Sequence, residues 1–154
     1  MDGSDGGRQE EMEQLRKNAG EAFEMMMKRS LEGDAESTFM GGFCYQTGQG
    51  VEMDNEKAME LYEKAGTMGH SQAQCNAGYA YLKGECVEQD EKKGADLLRE
   101  SAERGNSYGQ YWYGKCLVRG RGVECDKDQG WEYTEKSGLQ GNAVAIEELK
   151  KKLN

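Results

Sequence analysis

The sequence predicts an all-α fold, an α-solenoid of three full helix pairs with half-repeat caps at both ends. Three observations carry that expectation. A heptapeptide returns at constant spacing: Gly48-Gln49-Gly50-Val51-Glu52-Met53-Asp54, then Gly84-Glu85-Cys86-Val87-Glu88-Gln89-Asp90, then Gly120-Arg121-Gly122-Val123-Glu124-Cys125-Asp126. Its valines stand 36 residues apart, at 51, 87 and 123, with no insertion, and a period of that size marks stacked supersecondary units. After each copy, residues such as Ala58, Leu61, Tyr62 and Ala65 fall at i, i+3, i+4 and i+7, one stripe of an amphipathic helix. Finally, proline is absent and 32% of the 154 residues are charged, which suits a nearly all-helical chain.

Residues 1–8 read as a flexible N-terminal lead, because Met1-Asp2-Gly3-Ser4-Asp5-Gly6-Gly7 lacks the basic and apolar regions of a signal peptide. A cap helix is expected within 9–33, with its apolar stripe at Met12, Leu15, Ala19, Ala22, Phe23 and Met26. One period maps Ala22 onto Ala58, Met25-Met26 onto Leu61-Tyr62 and Gly33 onto Gly69, so this is the second helix of a truncated unit. The spacing leaves open whether it starts at Asn18 or runs unbroken from Gln9. Met25, Met26 and Met27 are flexible gap-fillers rather than a metal site.

Three units follow, at 34–69, 70–105 and 106–141. Each first helix opens at a cap-forming position, Asp34, His70 or Asn106, and that places the single histidine at a helix start rather than in catalysis. Small residues at Gly42, Gly78 and Gly114 let two helix backbones come close. The glycines of the loop end the helix in the left-handed conformation. The valine anchors on the core, and Asp54, Asp90 or Asp126 caps the second helix, worth about 1 kcal/mol each. Cys86 stands where the other loops have glycine, so the second loop is expected to be strained and the least regular. Second helices end at Gly69, Gly105 and Gly141. A fourth first helix over 142–153 turns charged at Lys150, Lys151 and Lys152 and reads as a C-terminal cap.

The run small-x-x-x-apolar-Gly-x-x-Tyr-x-x-Gly-x-Gly-Val-x-x-Asp-x-x-Lys-Ala-x-x-Leu-Tyr-x-Lys-Ala-x-x-x-Gly resembles the Sel1-like repeat, a relative of the tetratricopeptide family, and Ala58-Met59-Glu60-Leu61-Tyr62-Glu63-Lys64-Ala65 matches it almost residue for residue. The resemblance covers about Ala35 to Asn142. It departs at Cys86 for Gly, at Gly41 and Ala77 for Leu, and at Gly94 and Gly130 for Ala, substitutions expected to weaken packing. It implies a right-handed α/α superhelix, with 9–154 as one Sel1-like repeat domain, and the role of a non-catalytic scaffold or adaptor. Disulfide-stapled members carry a paired cysteine in each unit, whereas Cys44, Cys75, Cys86, Cys116 and Cys125 mostly occupy different repeat positions. The expected compartment is therefore reducing and cytoplasmic.

A net charge of −9 argues against a nucleic-acid backbone as partner. No apolar run approaches the roughly 20 residues of a membrane span. No Gly-x-Ser-x-Gly nucleophile motif occurs, the Gly-x-Gly pairs follow no strand, and the spacing of Cys75, Cys86 and Cys125 does not support zinc. No cofactor, metal or catalytic residue is expected.

The candidate partner-binding residues lie opposite the core on the first helices, the expected concave face: Phe39, Met40, Phe43, Tyr79, Lys83, Tyr108, Tyr111, Trp112, Lys115 and Arg119. Two readings stay open: these side chains fill the space between neighbouring first helices, or they line a groove for a peptide or protein surface. Lys115, Arg119 and Arg121 form a cluster with no acid between Ser107 and Val123, pointing to a partner with an acidic segment or free carboxylate. The alternatives are a structural module that self-associates or joins a larger repeat assembly, and a hydrolase or cell-wall-binding protein of the cysteine-rich type. The last would require export and paired cysteines.

Overall fold

The computed structural model describes residues 4–154. They form eight α-helices: α1 (Ser4–Leu31), α2 (Ala35–Thr47), α3 (Asn55–Thr67), α4 (Ser71–Lys83), α5 (Glu91–Glu103), α6 (Ser107–Arg119), α7 (Lys127–Leu139) and α8 (Ala143–Leu153). No strand occurs among the described residues. The fold is thus an all-α helix-pair repeat. It divides into two compact units, residues 1–61 and 62–154, with the division inside α3.

Capping chemistry fixes the helix starts. Asp54, Asp90 and Asp126 accept the backbone N–H three residues on, at 3.1, 3.0 and 3.0 Å. The side chains of Asp34, His70, Asn106 and Asn142 cap the first helices, His70 and Asn106 accepting the N–H three residues on, Asp34 that of Glu36, and Asn142 those of Val144 and Ala145. The imidazole Nδ1 of His70 accepts the Ala73 N–H at 3.1 Å, so that ring nitrogen serves as a helix cap.

The loop is also repeated bond for bond. The N–H of Asp54, Asp90 and Asp126 donates to the carbonyl nine residues earlier, on Tyr45, Tyr81 and Leu117, at 2.9, 3.0 and 3.0 Å. Cys86 does not make its loop irregular, contrary to expectation. It adopts φ 65°, against 72° at Gly50 and 69° at Gly122, and keeps the shape at the strain of a side chain in left-handed space. The expected strain is there and the expected irregularity is not.

In residues 1–61, α1 is unbroken from Ser4, so residues 4–8 of the expected lead are helical; residues 1–3 lie outside the described residues. Only the C-terminal half of α1 packs closely on α2. Phe23 meets Tyr45 edge-on at 5.2 Å, the Ser30 and Thr38 hydroxyls bond at 2.7 Å, and Met27 sulfur lies where a side chain on Gly41 would go. A methionine thus fills the space left by the glycine at a leucine position.

In residues 62–154, the core joins Cys75, Leu82, Ala95, Leu98, Ala102, Tyr113, Cys116 and Leu117. The helices of each pair cross at glycines. A Cβ on Gly114 would lie 2.7 Å from the Gly130 carbonyl, and one on Gly94 2.8 Å from that of Gly78. Gly94 and Gly130 therefore tighten the pair instead of weakening it, because each meets a glycine of its partner helix. In α8, Lys150 takes the repeat position of Gly78 and Gly114, a side chain too large for that crossing.

Candidate functional site

In residues 62–154 the candidate face is built by α4, α6 and α8, three successive first helices. The Tyr79 ring lies 4.7 Å from Trp112 at 60°, and Trp112 lies 5.0 Å from Tyr111. The Lys83 ammonium sits 5.8 Å from the Tyr79 centroid and 5.7 Å from that of Trp112, within cation–π range. One period further on, Tyr79 becomes Lys115 and Trp112 becomes Glu148, and these form an ion pair at 3.0 Å with only 19% and 27% of their side chains exposed. The same contact between neighbouring first helices is aromatic in one interval and ionic in the next.

That contact decides how far the packing reading holds. Tyr111 is only 4% exposed, so it is a packing residue rather than the wet-side one expected from helical projection. Its repeat counterpart Cys75 is equally buried at 4%, so this position faces the neighbouring helix in both units. Burial raises the Tyr111 phenol pKa, with the Glu148 charge adding to the rise and Arg119 opposing it. Tyr79, Trp112 and Lys115 are half-buried, and Trp112 packs against the core cluster. Tyr108 is 52% exposed, and Lys83 and Arg119 are exposed. In residues 1–61, Phe39 and Met40 are half-buried on α2, and Phe43 is 37% exposed.

The expected cluster of cations is mostly neutralised from within. Lys115 holds Glu148, and Arg121 donates from Nε and Nη2 to Glu91 Oε1 at 3.1 and 3.0 Å and from Nη2 to the Leu82 carbonyl at 3.1 Å. No acid lies between Ser107 and Val123 in sequence, but Glu91 and Glu148 reach them from helices on either side. Lys83 and Arg119, one period apart, make no ion pair among the described residues.

A second polar group went unread in the sequence: the Tyr81 hydroxyl donates to Glu63, and Lys93 Nζ donates to Tyr81 Oη at 2.8 Å and to Glu63 Oε1 at 3.0 Å. Burial pushes the Glu63 carboxyl pKa upward, yet the Tyr81 hydroxyl and the Lys93 ammonium outweigh it and hold it below its ordinary value. Its only sequence signal is that Tyr81 lies on a helix face otherwise apolar.

Reactive groups are muted. Burial pushes the Cys75 thiol to about 12 and the Cys116 thiol to about 11, so neither is a thiolate at neutral pH. Cys86 and Cys125 are exposed and all five cysteines are unpaired. Among the described residues no three His, Cys, Asp or Glu side chains are grouped to hold a metal ion, and no helix is long and apolar enough to cross a membrane. What the face offers is half-buried aromatic rings, an exposed tyrosine and two unpaired cations.

The Sel1 repeat model matches residues 37–70, 71–106 and 107–142. Among solved structures, a Sel1 repeat protein from Oxalobacter formigenes is 28% identical with a TM-score of 0.76, over 82% of this chain and 95% of that one. The protective antigen c5321 of uropathogenic Escherichia coli, described as displaying an SLR fold, is 30% identical with a TM-score of 0.78, over 83% of this chain and 27% of that one. Helicobacter pylori cysteine rich protein B, at 16% identity and a TM-score of 0.66, shares the fold. No curated protein matches the chain in sequence.

Proposed function

This chain belongs to the Sel1 repeat family, and from that premise we propose that it is a non-catalytic scaffold whose first-helix face holds a segment of another protein. The observation that carries the reading is the combination on α4 and α6: the exposed Tyr108, the half-buried Tyr79 and Trp112 rings, and the exposed cations Lys83 and Arg119. An exposed aromatic beside a preformed aromatic floor is a surface on which a partner's apolar anchor gains burial. Unpaired cations at the edge of that floor favour an acidic segment or a free carboxylate. The five unpaired thiols support a reducing, cytoplasmic setting.

Photo-crosslinking tests this face. A benzophenone side chain replacing Tyr108 is expected to join the protein to one defined segment of a partner, while the same group replacing the exposed Lys92 on α5 yields no such product. Equal products from both positions, or none from position 108, contradict the reading.

A further inference from the structure

The most uncovered helix surface among the described residues is on α1, and the repeat itself indicates what it lacks. Ala22 occupies the repeat position of Ala58, Gly94 and Gly130. Those three residues are buried, and Gly94 and Gly130 each meet the first helix of their own pair. Residues 19–31 are a second helix without its first helix, so Ala22 is exposed. The partner that completes such a pair is an antiparallel helix: in the α6–α7 pair, Gly114 faces Thr134 while Val118 faces Gly130.

The residues on the uncovered side are Glu11, Leu15, Asn18, Ala22, Met25 and Arg29, all exposed, with Leu15 at 59% and Met25 at 60%. Their spacing of four, three, four, three and four keeps them on one stripe. That order is self-complementary when reversed. Against an antiparallel copy of itself centred on Gly20, Glu11 meets Arg29, Leu15 meets Met25, and Asn18 meets Ala22, each contact occurring twice. Opposite charges close both ends, large apolar side chains meet inside them, and a small residue lies near the middle, where the backbones come closest. A parallel copy would place Glu11 on Glu11 and Arg29 on Arg29.

We propose that the uncovered face of α1 is an isologous interface for a second copy of this chain, the two α1 helices pairing antiparallel across a two-fold axis. Each copy then supplies the helix that the other's truncated repeat lacks. The seam is short, so the dimer is a weak one, with dissociation in the micromolar range, on the order of 1–100 µM.

Sedimentation velocity on the full chain across a dilution series tests this, with circular dichroism as a check on folding. The wild-type chain is expected to shift from monomer to dimer as concentration rises. Glu11→Arg alone, or Arg29→Glu alone, places like charges at both ends of the seam and weakens association by about tenfold or more. An equimolar mixture of the two variants restores it, because in the mixed dimer each end of the seam again pairs an arginine with a glutamate. A wild-type chain that stays monomeric throughout overturns the proposal. So does a dimer that the single reversals leave unchanged, which would place association on another surface, or a mixture that fails to recover.

Discussion

Cys86 holds a backbone conformation that costs a side-chain-bearing residue about 1–2 kcal/mol and costs glycine almost nothing. Glycine also has more freedom to lose on folding, which removes part of the gain. Cys86→Gly is therefore expected to stabilise the chain by about 0.5–1 kcal/mol, raising the thermal midpoint by about 2 °C. A lowered midpoint would mean that the thiol makes a contact worth more than the strain. Glu63 makes a different prediction, set by protons. Its folded pKa is lowered, so its contribution is present above the unfolded value of about 4.3 and lost as pH falls through the folded one. Its side chain is 38% exposed, and screening limits the effect to about 0.3–1 kcal/mol. Urea unfolding should find Glu63→Gln less stable than wild type at neutral pH, with the gap closing near pH 3. A gap independent of pH would assign the loss to packing. The cysteine and its strain were legible from the broken Gly-x-Gly pattern. The Glu63–Tyr81–Lys93 group was not, since it joins three helices and no period relates its members.

Helices were the most legible level, because a cap, a stripe and a stop recur in each full repeat. What the sequence concealed is which substitutions are compensated. Gly94 and Gly130 depart from alanine and look like losses, but each faces a glycine on its partner, and the pair closes to backbone contact. Gly41 looks like a missing leucine, but Met27 reaches in from α1. Single-position reading cannot anticipate either, because the compensating residue lies on another helix. Gly114→Ala brings a methyl within 2.7 Å of the Gly130 carbonyl and 2.9 Å of the Thr134 hydroxyl oxygen, neither on a side chain with room to retreat. It is expected to cost about 1–3 kcal/mol in chemical denaturation. Gly20→Ala is the contrast: its methyl would be 3.7 Å from the Gly50 carbonyl, an ordinary contact, so the helical gain of about 0.5–1 kcal/mol should appear. Two variants of equal effect would refute the close crossing.

At the scale of the molecule, a unit of 36 residues generates successive first helices, and the face built by α4, α6 and α8 is the one we propose for partner binding. Helical projection misjudged the depth of Tyr111, because it cannot see the neighbouring helices that cover positions 75 and 111. It also overcounted the cations, since the acids that neutralise Lys115 and Arg121 come from positions 148 and 91. Replacing Trp112 and Tyr79 together would therefore disturb core packing as well as the surface. Lys83 and Arg119 are exposed, and charge reversal there leaves the core intact. The most direct test is a peptide-display selection on the immobilised chain, with the selected peptides measured again on the Lys83→Glu, Arg119→Glu double variant. The account predicts acidic peptides with an apolar anchor, and a loss of affinity of about tenfold or more at an unchanged thermal midpoint. Neutral or basic peptides, or acidic ones that bind the reversed variant as tightly as wild type, would contradict it.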